Sequence, residues 1–362
     1  MHNLFRLLIA AAIFPIACAA SAQSYRDIVT TAGEGSGFNG VTLVGHGRTV
    51  DDVQTIGTAR AAYGVPMTAT TRFEIGSVSK WISAIIVMKL VDQGKLDLDR
   101  PISAYLPDYR KDTGGKLTLR RLMSHSSGLP NDVQKARQAD PSIRGGELDQ
   151  AEAVRRYASG DLAFAPGTGW DYSHSNWLLV KAVVERMTGT PYARLVDRLL
   201  VRPLRLRNSG MFHGDSATTP GMAQGYATLL PVPQEKPNPI PDFMAMAGGF
   251  YTTAPDLLVL MDAVLDGRYL SAASRKTLMT VLMPDQHYAL GGRVRIERIA
   301  GKEREVAWED GSNGGFRMIA RRVLTDGHTV IVLNNTSFDY AALGQLGGEL
   351  MEASYAAHTH RR

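Results

Sequence analysis

The chain has 362 residues, of which 44% are hydrophobic, and its formal net charge is +5. This length and composition allow a large buried core, either as one domain or as two closely packed lobes. The basic residues are scattered along the chain, and their densest cluster, Arg198–Arg207, is typical of a solvated helix face. No nucleic-acid-binding motif accompanies that cluster, so we expect no nucleic-acid partner.

The first 22 residues have the pattern of a secretory signal peptide. Arg6 precedes an apolar run over residues 7–20, and the small residues Ala20–Ala22 form a cleavage site. Because the run is short for a membrane span, we expect a secreted, periplasmic protein with no stable membrane insertion after cleavage. The only cysteine, Cys18, lies inside this segment, so the mature chain has no thiol. Lipid anchoring through Cys18 is the alternative.

Strand and helix patterns follow one another from residue 23 onward. Gly40–Gly45 and the loosely alternating stretch Val50–Gly57 predict two strands. Ser77–Gln93 is apolar on nearly every side, which predicts a buried central helix. Helical patterns then dominate from about residue 101 to residue 241, a stretch that ends in a polar, proline-rich connector, Pro231–Pro239. One further helix follows. The clearest of these helices are Leu117–Ser124, Glu152–Ala158, Asn176–Thr188 and Ala254–Leu265.

The last part of the chain has strand patterns again. Val306–Trp308, Phe316–Val323 and Thr329–Asn334 predict strands, and Thr325–His328 between the last two is a strong hairpin-turn signal. A final helix is predicted at about Tyr340–Tyr355. We therefore predict an α/β fold of the α+β type, with one antiparallel sheet completed by both ends of the chain and flanked by helices.

The predicted domain organisation is a signal peptide over residues 1–22 and a single catalytic domain over residues 23–362. Within that domain we expect a sheet lobe formed by about 23–76 and 245–362. A helical lobe of about 77–244 is inserted between these two segments.

Ser77 and Lys80 form a Ser-x-x-Lys motif at the start of the predicted central helix. Positions i and i+3 of a helix share one face, so the lysine amine can accept the proton of the serine hydroxyl if its pKa is lowered. The helix N-terminus also favours negative charge. Because about one such motif is expected by chance in a chain of this length, a helix cap followed by a surface lysine is the alternative interpretation.

Four segments together resemble the serine β-lactamase-like superfamily, in the branch of class C β-lactamases, D-alanyl-D-alanine carboxypeptidases and related esterases. The resemblance runs from about residue 40 to residue 345 and includes the Ser-x-x-Lys helix. Its segments are FEIGSVSKWISAIIVMKLVDQGKLDLDRPISAYLP (Phe73–Pro107), LTLRRLMSHSSGLP (Leu117–Pro130), PGTGWDYSHSNWLLVKAVVERMTG (Pro166–Gly189) and AGGFYTTAPDLLVLMDAVL (Ala247–Leu265).

The resemblance implies a set of catalytic residues. Ser77 is the implied nucleophile, and Lys80 and Tyr172 are implied to exchange its proton. A tyrosine acts as a base only if neighbouring cations depress its pKa below the usual value of about 10. The backbone N–H groups of Ser77 and Ser312 fall where the family binds the oxyanion. No cofactor and no metal are implied.

The chain departs from the family at two motifs. His174 replaces the usual asparagine two residues after the tyrosine, and Asn176 follows it; we expect both to contact substrate, with a wall-filling role as the alternative for His174. Glu309–Gly311 replaces the motif Lys-Thr-Gly or His-x-Gly, in which Gly311 allows close backbone approach. A carboxylate at Glu309 would repel anionic substrates, unless the side chain points away from the cleft or the alignment is displaced by one residue.

These features predict a secreted serine hydrolase that acts through an acyl-enzyme on small esters or amides. Its partner is then a small ester, amide or peptide substrate. A D-alanyl-D-alanine carboxypeptidase or a β-lactamase is the alternative within the enzymes. A catalytically silent binding protein of the same fold is the alternative from another class. No Gly-x-Ser-x-Gly motif and no spaced metal-ligand set occurs in the sequence.

Overall fold

The computed structural model describes residues 24–359, so the predicted signal peptide and Cys18 lie outside the described residues. A six-stranded antiparallel sheet forms the centre of the fold. Its strand Gly40–His46 pairs with the last strand of the chain on one side and with the second strand on the other. In spatial order its strands are Arg293–Ile299, Lys302–Asn313, Phe316–Val323, His328–Asn334, Gly40–His46 and Thr49–Ile56.

Both faces of this sheet are covered by helices, which explains why its central strands are apolar on both sides. Along His328–Asn334 every residue is buried. Val330 and Val332 pack under the helices Tyr25–Ser36 and Tyr340–Thr359. Ile331 and Leu333 join the larger core on the other face. Alternate side chains of a strand point to opposite faces, so two covered faces require a continuous apolar run.

The larger core surrounds the central helix, Val78–Asp92, in which nearly every side chain is buried. The helix packs against the short helix Ala245–Gly248 and against the strand Lys302–Asn313. The remaining α-helices of the described residues all lie in the segment between the two halves of the sheet. They are Lys111–Gly114, Leu119–Met123, Asp132–Ala139, Gln150–Tyr157, Ser175–Thr188, Tyr192–Val196, Arg202–Leu204, Ala254–Leu265 and Ala272–Met279.

Small sheets connect the helical segment to the central sheet. A three-stranded sheet joins the residues just before the central helix to two later segments, and two short hairpins lie at the periphery. Their strands are Phe73–Glu74, Phe250–Thr252 and Gly210–Met211 in the first, Thr58–Arg60 and Val65–Pro66 in the second, and Tyr226–Thr228 and Gln234–Glu235 in the third. No helix within residues 24–359 is long and apolar enough to cross a membrane.

The predicted fold class is confirmed, and the elements that were not predicted include the first helix and one strand of the central sheet. The helix Tyr25–Ser36 buries only a narrow stripe that includes Ile28 and Val29, and its glycines weaken a helical pattern. The strand Arg293–Ile299 lies at the edge of the sheet and carries charged residues between its apolar ones. Edge strands commonly carry charged side chains, and these interrupt the apolar alternation by which a strand is predicted.

Candidate active site

Ser77 stands where a tight turn enters the central helix. Gly76 has a φ of +49°, and a Cβ there would lie 2.3 Å from the carbonyl oxygen of Ser312. Glycine avoids both the left-handed strain and this overlap. The turn therefore holds Ser77 against the end of the strand Lys302–Asn313, and the partly exposed serine lines a cavity.

Lys80 lies one helical turn after Ser77 and is completely buried. Its Nζ is 3.1 Å from Ser77 Oγ, and it donates a hydrogen bond of 2.9 Å to the carbonyl oxygen of Ala247. Burial lowers the pKa of Lys80 to about 7; Asp310 opposes this shift and Arg293 adds to it. Much of the amine is therefore neutral near pH 7, and its lone pair can accept the proton of Ser77.

Tyr172 completes the group around the serine hydroxyl. Lys80 Nζ lies 5.0 Å from the centre of its ring, and the ring of His125 stacks on it at 4.4 Å. Burial raises the pKa of Tyr172, and its hydrogen bond with Ser77 opposes that shift only in part. The lowered pKa that a tyrosine base requires is therefore not met at Tyr172. The geometry favours Lys80 as the proton acceptor and Tyr172 as a hydroxyl donor.

The backbone of Gly311 and Ser312 lies against the turn that holds Ser77. A Cβ on Gly311 would lie 2.0 Å from the carbonyl oxygen of Ile75 and 3.2 Å from the backbone nitrogen of Ser77. Ser312 is exposed and lines the same cavity as Ser77. The two predicted oxyanion donors are thus brought to one cavity wall, where each such donor is typically worth about 3 kcal/mol in the transition state.

His174 lines this cavity and is oriented by Asn131. The His174 backbone N–H donates to Asn131 Oδ1 at 3.0 Å, which leaves the Asn131 amide nitrogen to donate to the ring Nδ1 at 3.2 Å. This pattern assigns the ring proton to Nε2. Burial lowers the pKa of His174 well below its usual value, so the ring is a neutral hydrogen-bond donor near pH 7. Such a donor can hold a substrate carbonyl.

The cavity has a volume of about 470 Å³, which is within the usual range for a small-molecule site. Ser77, Tyr172 and His174 form one part of its wall. Amides and backbone of the proline-rich connector form another part through Asn238, which pairs with Asn313. The wall also contains four cationic side chains, Arg137, Arg144, Lys236 and Arg317.

The structure does not bring Asn176 to the cavity. The side chain is fully buried in the helix Ser175–Thr188, where its Oδ1 accepts a 2.7 Å hydrogen bond from Ser127 and its amide nitrogen lies 3.2 Å from His125 Nδ1. The expected substrate contact is therefore corrected: Asn176 supports the loop that carries His125, the residue stacked on Tyr172.

Glu309 also does not line the cavity. Its side chain is buried beside Trp81, and its Oε1 accepts a 3.1 Å hydrogen bond from the backbone N–H of Arg293. The carboxyl group occupies the space that a side chain at Gly292 would need. Burial raises the pKa of Glu309 well above its usual value. The expectation that Glu309 repels substrate anions is corrected because the side chain lies outside the cavity.

A second buried carboxyl, Glu74, lies behind the oxyanion wall. It accepts hydrogen bonds from Ser216 and from the amide of Asn313, the residue next to Ser312. Burial raises the pKa of Glu74 to about 7, although both hydrogen bonds favour the charged form. Glu74 thus titrates close to the site without lining its cavity.

Several residues of the site were missed by sequence reasoning. Asn131, which orients His174, directly follows the segment Leu117–Pro130, and Arg137 of the cavity wall comes shortly after it; that position was the only local signal for them. The cationic residues are separated by up to 180 positions, and only folding assembles them. Among residues 24–359, no group of three or more His, Cys, Asp or Glu side chains is placed to hold a metal ion.

Comparisons with known proteins agree with this geometry. A family model described as Beta-lactamase matches residues 26–342. Esterase EstB of Burkholderia gladioli is 38% identical over 165 residues, an alignment that spans 42% of this chain and 42% of the esterase. The aligned region is thus less than half of that relative.

Solved structures show the same fold. The penicillin binding protein from Bacillus halodurans has a TM-score of 0.71 and 23% identity, with 91% of this chain and 98% of that protein covered. The D-amino acid amidase from Ochrobactrum anthropi SV3 has a TM-score of 0.73 and 22% identity, with 90% of this chain and 95% of that protein covered. At these identities the likeness shows the fold alone.

Proposed function

This chain belongs to the Beta-lactamase family and is a serine hydrolase, and on that premise we propose that it cleaves small esters or amides through an acyl-enzyme on Ser77. The family match confirms the resemblance predicted from the four sequence segments. Similarity to an esterase and a shared fold with an amidase support esters and amides as the substrate class. The observation that carries the proposal is the buried Lys80 amine, 3.1 Å from Ser77 Oγ.

Acylation begins when the proton of the Ser77 hydroxyl passes to the neutral amine of Lys80. Oγ forms a bond to the substrate carbonyl carbon, and the carbonyl electron pair moves to its oxygen. The N–H groups of Ser77 and Ser312 stabilise that negative charge. The oxyanion then collapses and the bond to the leaving oxygen or nitrogen breaks. The leaving group takes a proton from Tyr172, which regains one from Lys80.

Deacylation repeats these steps with water as the nucleophile. A water molecule loses a proton to Lys80 and its oxygen bonds to the acyl carbon. Ser77 Oγ then leaves as the acid product forms, and it recovers its proton. No cofactor is required by either half of the reaction.

A silent binding protein is the rival function, and labelling separates the two. We expect a fluorophosphonate probe to label the native protein at Ser77, and p-nitrophenyl butyrate to be hydrolysed. Ser77→Ala should lose both. Ser312→Ala is the matched control, because Ser312 acts through its backbone N–H, which alanine keeps. Labelling that persists in Ser77→Ala would move the nucleophile elsewhere, and an unlabelled native protein would favour the silent alternative.

Export is part of the proposal and is supported by the sequence of residues 1–22, which lies outside the described residues. We expect the mature protein to begin near Gln23 and to leave the cytoplasm. Intact-mass analysis of protein recovered from the periplasm of a bacterial host tests this. A mass that includes lipid on Cys18 would replace the soluble periplasmic protein by an anchored one, and a full-length mass would contradict export.

A further inference from the structure

The cations of the cavity have no anionic partner in the part of the chain that the structure describes. The hydrogen bonds that Arg137, Lys236 and Arg317 donate all go to neutral acceptors, and Arg144 forms no ion pair within residues 24–359. No aspartate or glutamate of that range lines the cavity. A concave site lined by charge of one sign concentrates ligands of the opposite sign.

Arg137 is the most informative of these cations because it is only 6% exposed. Among the described residues its Nε has no hydrogen-bond partner, and its Nη2 makes two long contacts of 3.3 Å with Asn238 Oδ1 and the carbonyl oxygen of Pro239. Burial lowers the pKa of Arg137 to about 10, so the group keeps its charge near pH 7. A buried charge without a counter-ion is costly, which is why such groups are normally paired.

Arg137 belongs electrostatically to the catalytic site. The charge of Arg144 lowers the pKa of Arg137 in addition to burial. The charge of Arg137 contributes to the low pKa of both His174 and Lys80. An anion bound by this arginine would therefore share the cavity with the carbonyl that Ser77 attacks.

We propose that the substrate carries a carboxylate in addition to the ester or amide that is cleaved, and that Arg137, with Arg144 and Arg317, binds this carboxylate. The inference rests on the proposed hydrolase function and deepens it. The guanidinium fork matches the two oxygens of a carboxylate. The proposal reverses the preference for neutral or amine-bearing substrates that the sequence suggested from Glu309.

Matched substrate pairs test the proposal. The first pair is mono-p-nitrophenyl glutarate and its methyl ester, which differ only by the charge on the acyl part. The second pair is 4-acetoxybenzoate and its methyl ester, which places the charge on the leaving part. We expect kcat/KM to be about 10-fold or more higher for the anionic member of at least one pair. Equal or lower values for the anion in both pairs would overturn the proposal.

Variants then assign the effect to the arginine. Arg137→Met should reduce the anionic-to-neutral ratio of kcat/KM by about 10-fold to 100-fold, and Arg137→Lys should reduce it less. The ratio is the proper readout because loss of Arg137 also alters the pKa of Lys80 for both substrates alike. Arg317→Gln should lower the ratio as well, and it keeps the test valid if Arg137→Met fails to fold. Arg298→Gln is the matched control, since Arg298 is exposed and outside the cavity.

Binding provides a readout that does not need turnover. Calorimetry with Ser77→Ala protein should detect glutarate more strongly than dimethyl glutarate, which has no carboxylate, and added NaCl should weaken the difference. Absence of that difference would overturn the carboxylate site even if ester hydrolysis is found. Tighter binding of inorganic phosphate than of glutarate would contradict the carboxylate assignment. Lack of hydrolysis of every ester, with glutarate still bound, would instead count against the proposed function.

Discussion

Lys80 should set the pH at which Ser77 becomes reactive. Lowering a lysine pKa from 10.5 to about 7 corresponds to on the order of 5 kcal/mol in favour of the neutral amine, and burial is the main cause. With a pKa near 7, the neutral fraction rises from about 3% at pH 5.5 to about 97% at pH 8.5. We therefore expect the rate of Ser77 acylation to rise about 30-fold over this range and then to level off.

The assay is the second-order rate constant for labelling by an uncharged fluorophosphonate between pH 5 and pH 10. Lys80→Met should label about 100-fold or more slowly and should lose the acid limb. Glu74→Gln is the necessary control, because burial raises the pKa of Glu74 to about 7 as well. A limb that survives in Glu74→Gln belongs to Lys80. A rate that climbs tenfold per pH unit up to pH 10, or one that is flat from pH 5.5 to 8.5, would refute the reasoning.

Stability gives a second readout of the same perturbation. The pKa of Lys80 is lower in the folded state than in the unfolded chain, so between pH 7 and 10.5 the unfolded chain binds more protons. Lys80 is therefore destabilising, fully so below about pH 7, and this penalty disappears as the pH rises through 10.5. Lys80→Met should therefore be more stable than the native protein at pH 6. The difference between their unfolding free energies, measured in urea, should shrink by about 2 to 3 kcal/mol between pH 6 and pH 9. An unchanged difference would place the folded-state pKa near its ordinary value.

Three further predictions concern the same site. Lys80→Met and Tyr172→Phe should each lower kcat strongly, and the double variant should lose much less than the product of the two effects; strict additivity would exclude shared proton transfer. Gly311→Ala should lower kcat by about 100-fold or more, because its Cβ would meet the carbonyl oxygen of Ile75 at 2.0 Å and displace an oxyanion donor; native kcat and an unchanged Tm would contradict this close approach. Glu309→Gln should leave kcat/KM within about threefold for anionic and neutral esters alike, since the side chain is buried outside the cavity; a selective rise for anions would restore the repulsion that the sequence suggested.

Local patterns predicted most of the fold. Phe316–Val323 was predicted with the bounds that the structure has, and the turn after it is where Gly327 takes its positive φ of +78°. The buried central helix was predicted because its apolar residues surround the helix axis. The edge strand and the first helix were missed because each buries little surface, and their stability comes from neighbours distant in the chain.

Some properties of the site likewise follow from local sequence, and others depend on packing. Ser77 and Lys80 are three residues apart on one helix, so the proximity of hydroxyl and amine follows from helical geometry alone. Tyr172 was implied by the family motif, and the structure brings it beside them. Its proton affinity was not accessible in that way, because the pKa of Tyr172 and of Lys80 depends on burial, which many separate segments create together.

The charge preference of the cavity illustrates the limit most clearly. The sequence gives only the type of each residue. From type alone, Glu309 was interpreted as an anion of the cleft, and the scattered arginines gave no indication of a common site. Side-chain direction, burial and neighbours arise only when the strands and helices pack, and packing buries Glu309 outside the cavity while it gathers Arg137 and Arg317 around it. Local sequence patterns were thus enough to predict the nucleophile, the central helix and the fold class. The electrostatics of the site depend instead on contacts between residues far apart in sequence, because the strength of charge interactions depends on distance and solvent access.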